Sequence, residues 1–471
     1  MSTALVWFRR DLRLADHPAL HAAVASHDRI VALYVHAPGE EGEWAPGAAS
    51  RWWLHHSLEA LDASLRRHGG HLEVLRGDSL EALRATAAAC KADALYLNRL
   101  YEPRLLKRDA RVGRALEADG LAVRSFNASL WSEPGDLLNQ QGEPYRVFTP
   151  FWRNLRTRID ERAPLPEPAT ISFDRVDGRL AGRVDIADLA LLPDHDWARG
   201  FADWTPGERG ARDLLDLFAD DALGHYAEGR DFPARHGTSR LSPHLRWGEI
   251  SPVQIHAALR GHRGLEPFLR QLGWREFAQH LLYHFPKTPR ENFNPSFDAF
   301  RWAARDPHAL RRWREGQTGI PIVDAGMREL WATGWMHNRV RMLVASLLTK
   351  NLRQHWVLGE RWFWDTLVDA DLANNALGWQ WVAGSGADAA PYFRIFNPVT
   401  QSEKFDAEGA YIRRWVPELA RAKGRLVHAP WEDPAFLEGS GYPPPIVDLK
   451  TSRETALDAY RNLRGAGGNT L

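Results

Sequence analysis

The run Asp369-Ala370-Asp371-Leu372-Ala373-Asn374-Asn375 leads into Gly378-Trp379-Gln380-Trp381. On a helix, Asp371, Asn375 and Trp379 stand at i, i+4 and i+8 and share one face. A carboxylate, a carboxamide and an indole in one stripe are costly to bury among hydrocarbon. They suit a large polar aromatic ligand: an acid for hydroxyls, an amide for a ring nitrogen, an indole for electronic contact. An amphipathic helix with a capping acid gives the same pattern. In Trp335-Met336-His337-Asn338-Arg339-Val340-Arg341-Met342, Asn338 and Met342 share a face and Arg341 lies one turn from Asn338. Gln271, Trp274, Arg275 and Ala278 follow i, i+3, i+4 and i+7. A half-buried arginine needs an anion, which Asp369, Asp371 or a phosphate can supply. Gly237-Thr238-Ser239-Arg240-Leu241-Ser242-Pro243 is a small-polar loop ahead of a helical pattern. Hydroxyls and backbone N–H groups at a helix start cradle phosphate, although Ser and Thr are also ordinary caps.

Other chemistries lack their residues. Gly384-x-Gly386-x-x-Ala389 has dinucleotide-fingerprint spacing, but it follows a Trp-rich helical stretch rather than a strand. His17/His21 and His280/His284 have i, i+4 spacing without the glutamate or third ligand of a zinc site, so no metal is expected. The single cysteine, Cys90, ends an Ala-rich helix and reads as a packed thiol; it excludes an intrachain disulfide.

Net charge is zero, from 60 Lys+Arg and 60 Asp+Glu, so any nucleic-acid surface is a local patch. Such a patch is in view: residues 261–350 carry 14 basic and 8 acidic side chains, and ten of the 21 tryptophans fall between 274 and 381. Arginines interleaved with aromatics suit phosphate pairing and base stacking, and a helical core with a solvated arginine face gives the same composition. No apolar run reaches membrane-span length and the N-terminus lacks a secretory pattern, which predicts a cytoplasmic protein that avoids membranes.

The elements that must position these residues fall into two classes. Short apolar runs at 5–8, 30–35, 72–75, 94–97 and 121–126 alternate with helical patterns at 18–26, 49–68, 80–90 and 104–118. This alternation predicts a five-stranded parallel, Rossmann-like α/β domain over residues 1–135. Residues 136–210 read as an interdomain linker; from 161 to 210 the segment is proline-punctuated and holds ten acids and six arginines. From 211 to 471 the strand signal vanishes and the pattern is all-α.

Long stretches then carry a resemblance: LVWFRRDLRLADHPAL at 5–20, RDFPARHGTSRLSPHLRWGEIS at 230–251, WREF at 274–277, TGIPIVDAGMRELWATGWMHNRVRM at 318–342 and DADLANNALGWQWVAGSGADAAPYFRIFNPVTQSEKFD at 369–406. The chain resembles the photolyase/cryptochrome flavoproteins, and is most similar to bacterial cyclobutane pyrimidine dimer photolyases of the class I and class III type. The resemblance implies an α/β antenna domain and a helical domain that holds FAD and binds DNA containing pyrimidine dimers. By motif position, Tyr226, Thr238, Ser239, Arg240, Leu241 and Ser242 would hold the phosphates and ribityl chain. Arg275, Asn338 and Arg341 would line the ring pocket. Asp369 and Asp371 would bind sugar hydroxyls or pair with Arg341, and Asn375 would face flavin N5. Trp379, Trp356 and Trp302 match the tryptophan triad that passes electrons to the excited flavin. Trp274 and Trp381 would wall a flipped-out dimer beside Asn338 and Met342, with Arg230, Arg339 and Arg394 on flanking phosphates. Glu102 matches a position that contacts a folate antenna (methenyltetrahydrofolate); a structural ion pair, a deazaflavin or an empty antenna pocket are the alternatives. The family favours a monomer.

One residue departs from that pattern. Dimer photolyases of this type usually carry glutamate where this chain has Gln271. A carboxyl can hold a proton against the dimer carbonyls, whereas Gln offers no titratable proton. Losing one such contact costs about 10²–10³ in rate by analogy with oxyanion-hole deletions. The expectation is a light-driven dimer-repair lyase weakened by Gln271. The alternatives are a cryptochrome-like blue-light receptor or a lesion-binding flavoprotein with little repair activity.

Overall fold

The computed structural model describes residues 1–176, 180–389 and 393–466. The chain packs as two compact units. The first comprises residues 1–197, 202–224 and 239–286; the second comprises 198–201, 225–238 and 287–471.

The first unit is built on a five-stranded sheet: β1 (Thr3–Phe8), β2 (Arg29–His36), β3 (Leu72–Arg76), β4 (Ala94–Asn98) and β5 (Ala122–Phe126). Every pairing is parallel and the spatial order is β3-β2-β1-β4-β5. Helices α1 (Pro18–Ser26), α2 (Ala48–Arg67), α3 (Ser79–Cys90) and α4 (Pro103–Ala118) make the crossovers. β1 is buried along its whole length, so its sequence TALVWF is a continuous run rather than an alternation. Leu5, Trp7, Leu33, Leu83, Leu95 and Leu116 anchor the core between sheet and helices. Each fully buried side chain of this size contributes roughly 1.5–3 kcal/mol. Asp78 caps α3 by accepting from the amides of Leu80 and Glu81, as its spacing to Glu81 predicts.

The stretch expected to connect domains lies along this sheet for part of its length. Ile30 bridges to Phe173, and the Arg76 amide donates to the Gly182 carbonyl at 2.8 Å. It also contains α5 (Phe148–Arg156), whose Phe148, Phe151, Trp152 and Leu155 are buried. Two further helices of this unit carry candidate site residues: α6 (Ser242–Trp247) and α7 (Leu265–His284).

The second unit is helical. Three of its elements concern function: α8 (Asn338–Ser346), α9 (Trp356–Thr366) and α10 (Leu372–Ala383). Gly334 ends the preceding helix with φ +68° and accepts from the Val368 amide at 2.8 Å. A Cβ at Gly334 would lie 2.7 Å from Val368 Cγ1, so only glycine lets these two segments meet. That meeting fixes the start of α8 beside Asp369. Among the described residues no helix is long and apolar enough to cross a membrane.

Candidate functional site

In the second unit, Arg341 on α8 donates to Asp369 Oδ2 at 2.8 Å, and its Nε donates to the Met336 carbonyl. The anion that a half-buried arginine requires is therefore Asp369. The other oxygen, Asp369 Oδ1, is buried with no hydrogen-bond partner among the described residues. Asp371 is the N-cap of α10: it accepts from the Asn374 amide at 2.9 Å and from its side chain at 2.7 Å. Its backbone is extended there, so the predicted helical stripe starts on a cap and continues through Asn375 and Trp379.

Asn375 Nδ2 donates to the Glu360 carbonyl at 2.9 Å, which ties α10 to α9. The Glu360 carboxyl is buried with neither oxygen partnered among the described residues, and burial pushes its pKa well above the ordinary carboxylate range. Trp379 is 2 % exposed and Nε1 has no partner there either. Its six-membered ring lies over Gly359, where a Cβ would come within 2.0 Å of Cη2. Phe363 and Trp313 meet it edge-on at centroid distances of 5.0 and 6.1 Å.

Trp356 opens α9 and is fully buried; its Nε1 donates to Asn292 Oδ1 at 3.0 Å. His355, the cap of α9, lies with its ring 5.6 Å from Trp356 and 5.0 Å from Trp302. Burial lowers the His355 pKa, which favours a neutral ring. Trp302 is half-buried, so the series runs from the interior toward the surface.

Asn338 is exposed at the first position of α8, and Met342 is half-buried one turn on. Arg339 pairs with Asp231 at 2.7 Å and lies 4.3 Å over the Phe405 ring. Arg230 lies 3.9 Å from the same carboxylate and 5.8 Å over Tyr226. Two arginines thus share one acid and leave a net positive charge. Tyr226 is buried, which pushes its phenol up to about 12. Thr238 is half-buried. Trp381 is half-buried and donates to the Asp388 carbonyl at 3.1 Å. Arg394 is exposed beside Phe396.

The first unit holds the remaining candidates. Residues 239–243 turn at Arg240, with φ +53°, into α6. Ser239 Oγ accepts from the Leu241 amide at 3.4 Å, and the Arg240 guanidinium lies 4.2 Å over Trp204. Leu241 is buried and Ser242 is exposed. On α7, Arg275 donates to the Ser129 carbonyl at 2.8 Å. Trp274 is stacked on Phe148 at 3.8 Å and 8°, so one face of the proposed wall is covered. Gln271 is half-buried and makes a long 3.5 Å contact to the Pro267 carbonyl. Glu276 beside them is fully buried, which raises its carboxyl to about 8. Glu102 is 7 % exposed and engaged by Arg10 and, at 3.5 Å, Arg246. Cys90 donates to the Thr86 carbonyl, and burial raises its thiol to about 11, as a packed thiol requires.

Three residues beside the site were missed by pattern reading. Gln380 is buried between the two tryptophans and bonds the 288–293 loop; Asn292 and Gly359 meet Trp356 and Trp379. A signal for Gln380 exists: a polar residue flanked by two indoles on a helix faces a different direction from both. His55, His56 and Glu59 on α2 also gather potential metal-ligand atoms within 4.8 Å, with Glu59 an ion-pair partner of both rings.

Residues 4–169 match the DNA photolyase family, and residues 268–462 match the FAD binding domain of DNA photolyase. The chain is 48 % identical to the deoxyribodipyrimidine photo-lyase of Agrobacterium fabrum, over 97 % of each chain. The chain belongs to the photolyase/cryptochrome family. It is also 39 % identical to Cryptochrome-1 of Arabidopsis thaliana, over 98 % of this chain and 70 % of that one. Its fold matches a bacterial class III photolyase from Agrobacterium tumefaciens with a TM-score of 0.93 and 47 % identity, over 99 % and 98 % of the two chains. Family membership accounts for the parallel α/β sheet and for the helical region that binds FAD. An unsatisfied buried group fits such a cofactor: Asp369 Oδ1 is a hydroxyl acceptor with no protein partner among the described residues.

Proposed function

We propose that the protein repairs cyclobutane pyrimidine dimers in DNA with light absorbed by bound, reduced FAD. The cofactor supplies the redox chemistry, lending one electron to the dimer and regaining it once the ring bonds open. The chain binds, orients and tunes. In the second unit, Asp369, held by Arg341, offers one carboxylate oxygen to a hydroxyl. Asn338 and Asn375 offer carboxamides, and Tyr226 and Thr238 carry the phosphate-side role. In the first unit, Ser239, Arg240, Leu241, Ser242 and Arg275 keep the roles the resemblance implies.

The observation that carries this reading is the run of rings in the second unit. Buried Trp379 packs on the helix that begins with buried Trp356, and His355 leads from there to half-exposed Trp302. A hydrocarbon core does not need a half-exposed indole linked through His355 to two buried ones, whereas electron delivery from the surface does. Trp381, Asn338 and Met342, with Arg230, Arg339 and Arg394, would serve lesion and phosphate contact, as would Trp274 and Gln271 on the first unit. A damaged pair costs least to flip from the stack.

A cryptochrome-like light receptor is the second reading, and Gln271 favours it because an amide holds no proton for the dimer. The test is light-dependent recovery of thymine absorbance in a dimer-containing oligonucleotide, with photoreduced native protein beside Gln271→Glu. Recovery by both supports repair. Recovery only by Gln271→Glu moves the receptor and lesion-binding readings ahead, and recovery by neither overturns repair. For the antenna, Glu102 is committed to two guanidiniums, so the folate assignment rests on the resemblance alone. The absorption spectrum of the protein as isolated separates folate, deazaflavin and no second chromophore. We read the protein as a monomer, which sedimentation tests.

A further inference from the structure

Trp379 and Trp356 differ in one respect that matters for electron flow. The Trp356 indole N–H is hydrogen-bonded, 3.0 Å from Asn292 Oδ1, and the Trp379 N–H is buried without a partner among the described residues. The orientation of Asn292 is fixed, because its Nδ2 donates to Asp298 Oδ1 at 2.7 Å and this leaves the carbonyl oxygen facing the indole. The loop around it is fixed as well. Gln380 donates to the Thr288 and Glu291 carbonyls at 2.6 and 2.9 Å and accepts from the Phe293 amide at 2.8 Å. The Asn294 amide donates to the Ser385 carbonyl at 2.8 Å. Asn292 is therefore held from both sides by the end of α10, the helix that carries Trp379.

Removing an electron from an indole makes its N–H more acidic and places positive charge on the ring. A hydrogen bond from a charged donor is roughly twice as strong as a neutral one. The Asn292 carbonyl thus stabilises oxidised Trp356 more than neutral Trp356, and no side chain or carbonyl among the described residues does the same for Trp379. We propose that Asn292, positioned by Gln380, makes Trp356 the easier indole to oxidise and so sets the direction of electron flow from Trp356 to Trp379. The inference rests on the relay reading above. The balance is one electron. Trp379, after giving an electron to the photoexcited flavin, is refilled by one from Trp356. No heavy-atom bond breaks, and the proton stays on Trp356 Nε1 because an amide oxygen is too weak a base to take it. Burial lowers the pKa of His355, whose ring lies 5.6 Å from Trp356, and so disfavours a cationic ring that would oppose the charge.

The test compares native holoprotein with Asn292→Leu and Asn292→Asp, each with flavin content measured. After a light flash on oxidised protein, Asn292→Leu is expected to lower the yield of long-lived indole radical about five- to tenfold. Asn292→Asp keeps an acceptor but adds a base, so the radical should convert from the cation to the neutral form, which absorbs at a different wavelength. In flavin-free protein, Asn292→Leu should move one indole N–H resonance upfield. An unchanged radical yield in Asn292→Leu, an unaltered cation in Asn292→Asp, or no shifted resonance overturns the proposal while leaving the relay intact. Absence of any indole radical in native protein overturns the relay and the proposal together.

Discussion

Gly359 and Trp379 are in direct contact, and the space a side chain would need at 359 is filled by the indole. A Cβ there would lie 2.0 Å from Cη2 and 2.4 Å from Cζ3. Gly359 lies in the first turn of the helix that Trp356 begins, so its bare backbone brings α10 against α9 at the level of both tryptophans. Gly359→Ala would push the ring aside, because neither neighbouring backbone can give by that much. The expected result is a destabilisation of about 1–3 kcal/mol from overpacking and a fall in flavin photoreduction. Urea unfolding and the bleaching of oxidised flavin under blue light check the two effects. A variant that photoreduces at the native rate would show that Trp379 has another place to sit.

Arg341 and Asp369 are the second coupled pair. Asp369 keeps 4 % of its side-chain surface and Arg341 keeps 24 %, so the pair is shielded on the acid side. Asp369→Asn removes one charge and leaves the guanidinium facing a neutral amide. Breaking a buried pair in this way costs about 3–5 kcal/mol, and the partial exposure of Arg341 places this case at the lower end. Flavin retention should fall with it, because the one remaining oxygen turns to the Arg341 guanidinium and an NH2 donor replaces the acceptor offered to a hydroxyl. Gel filtration with the ratio of flavin to protein absorbance reads this directly; full flavin content in Asp369→Asn would remove Asp369 from the cofactor site.

The sheet was legible because β1, β2 and β4 lie inside it and are buried along most of their length, which writes them as nearly continuous apolar runs, while β3, at one edge, keeps Leu72, Val74 and Leu75 around Glu73. β5 is an edge strand with largely exposed side chains, and its start shifts by one residue, to Ala122 from the expected Leu121. Asp371 shows the limit of periodicity: it stands in register with Asn375 and Trp379, yet its side chain caps the helix start. Spacing cannot separate a cap from a ligand-facing acid, because both lie on the same angular position. The Arg341–Asp369 pair was half legible, since the arginine demanded an anion and two candidates stood nearby. The Asn292–Trp356 bond was not, because it joins positions 64 residues apart and nothing local marks either as a partner.

Asp11 gives a prediction at acid pH. It is fully buried, which alone would raise its pKa, but the His17 ring 3.0 Å away and Arg9 outweigh burial and lower it to about 2. A depressed carboxylate pKa stabilises the fold above the unfolded value, near 3.8, and that stability disappears as pH falls toward 2. The shift corresponds to about 2 kcal/mol. In urea titrations, Asp11→Asn should unfold earlier than native protein at pH 6, and the gap should narrow between pH 4 and pH 2. A gap that stays constant across that range would assign the effect to packing rather than charge.

Glu276 gives the opposite sign. Burial raises its carboxyl to about 8 against an ordinary value of 4.5, and Arg275 and the amides of Trp131 and Ser132 only partly offset this. The folded chain therefore holds a proton that the unfolded chain has lost, across the window from about pH 4.5 to 8. Stability from this group is complete below pH 4.5 and declines as pH rises, by up to about 1.4 kcal/mol per pH unit. Glu276→Gln keeps an oxygen that can accept from the Trp131 amide, a 3.0 Å bond in the native protein, and has no proton to lose. The variant should match native protein at pH 5 and melt at a higher temperature than native protein at pH 8, with the difference growing steadily between. Parallel melting curves at both pH values would mean that Glu276 is ionised in the fold, with Arg275, 3.8 Å away, neutralising it.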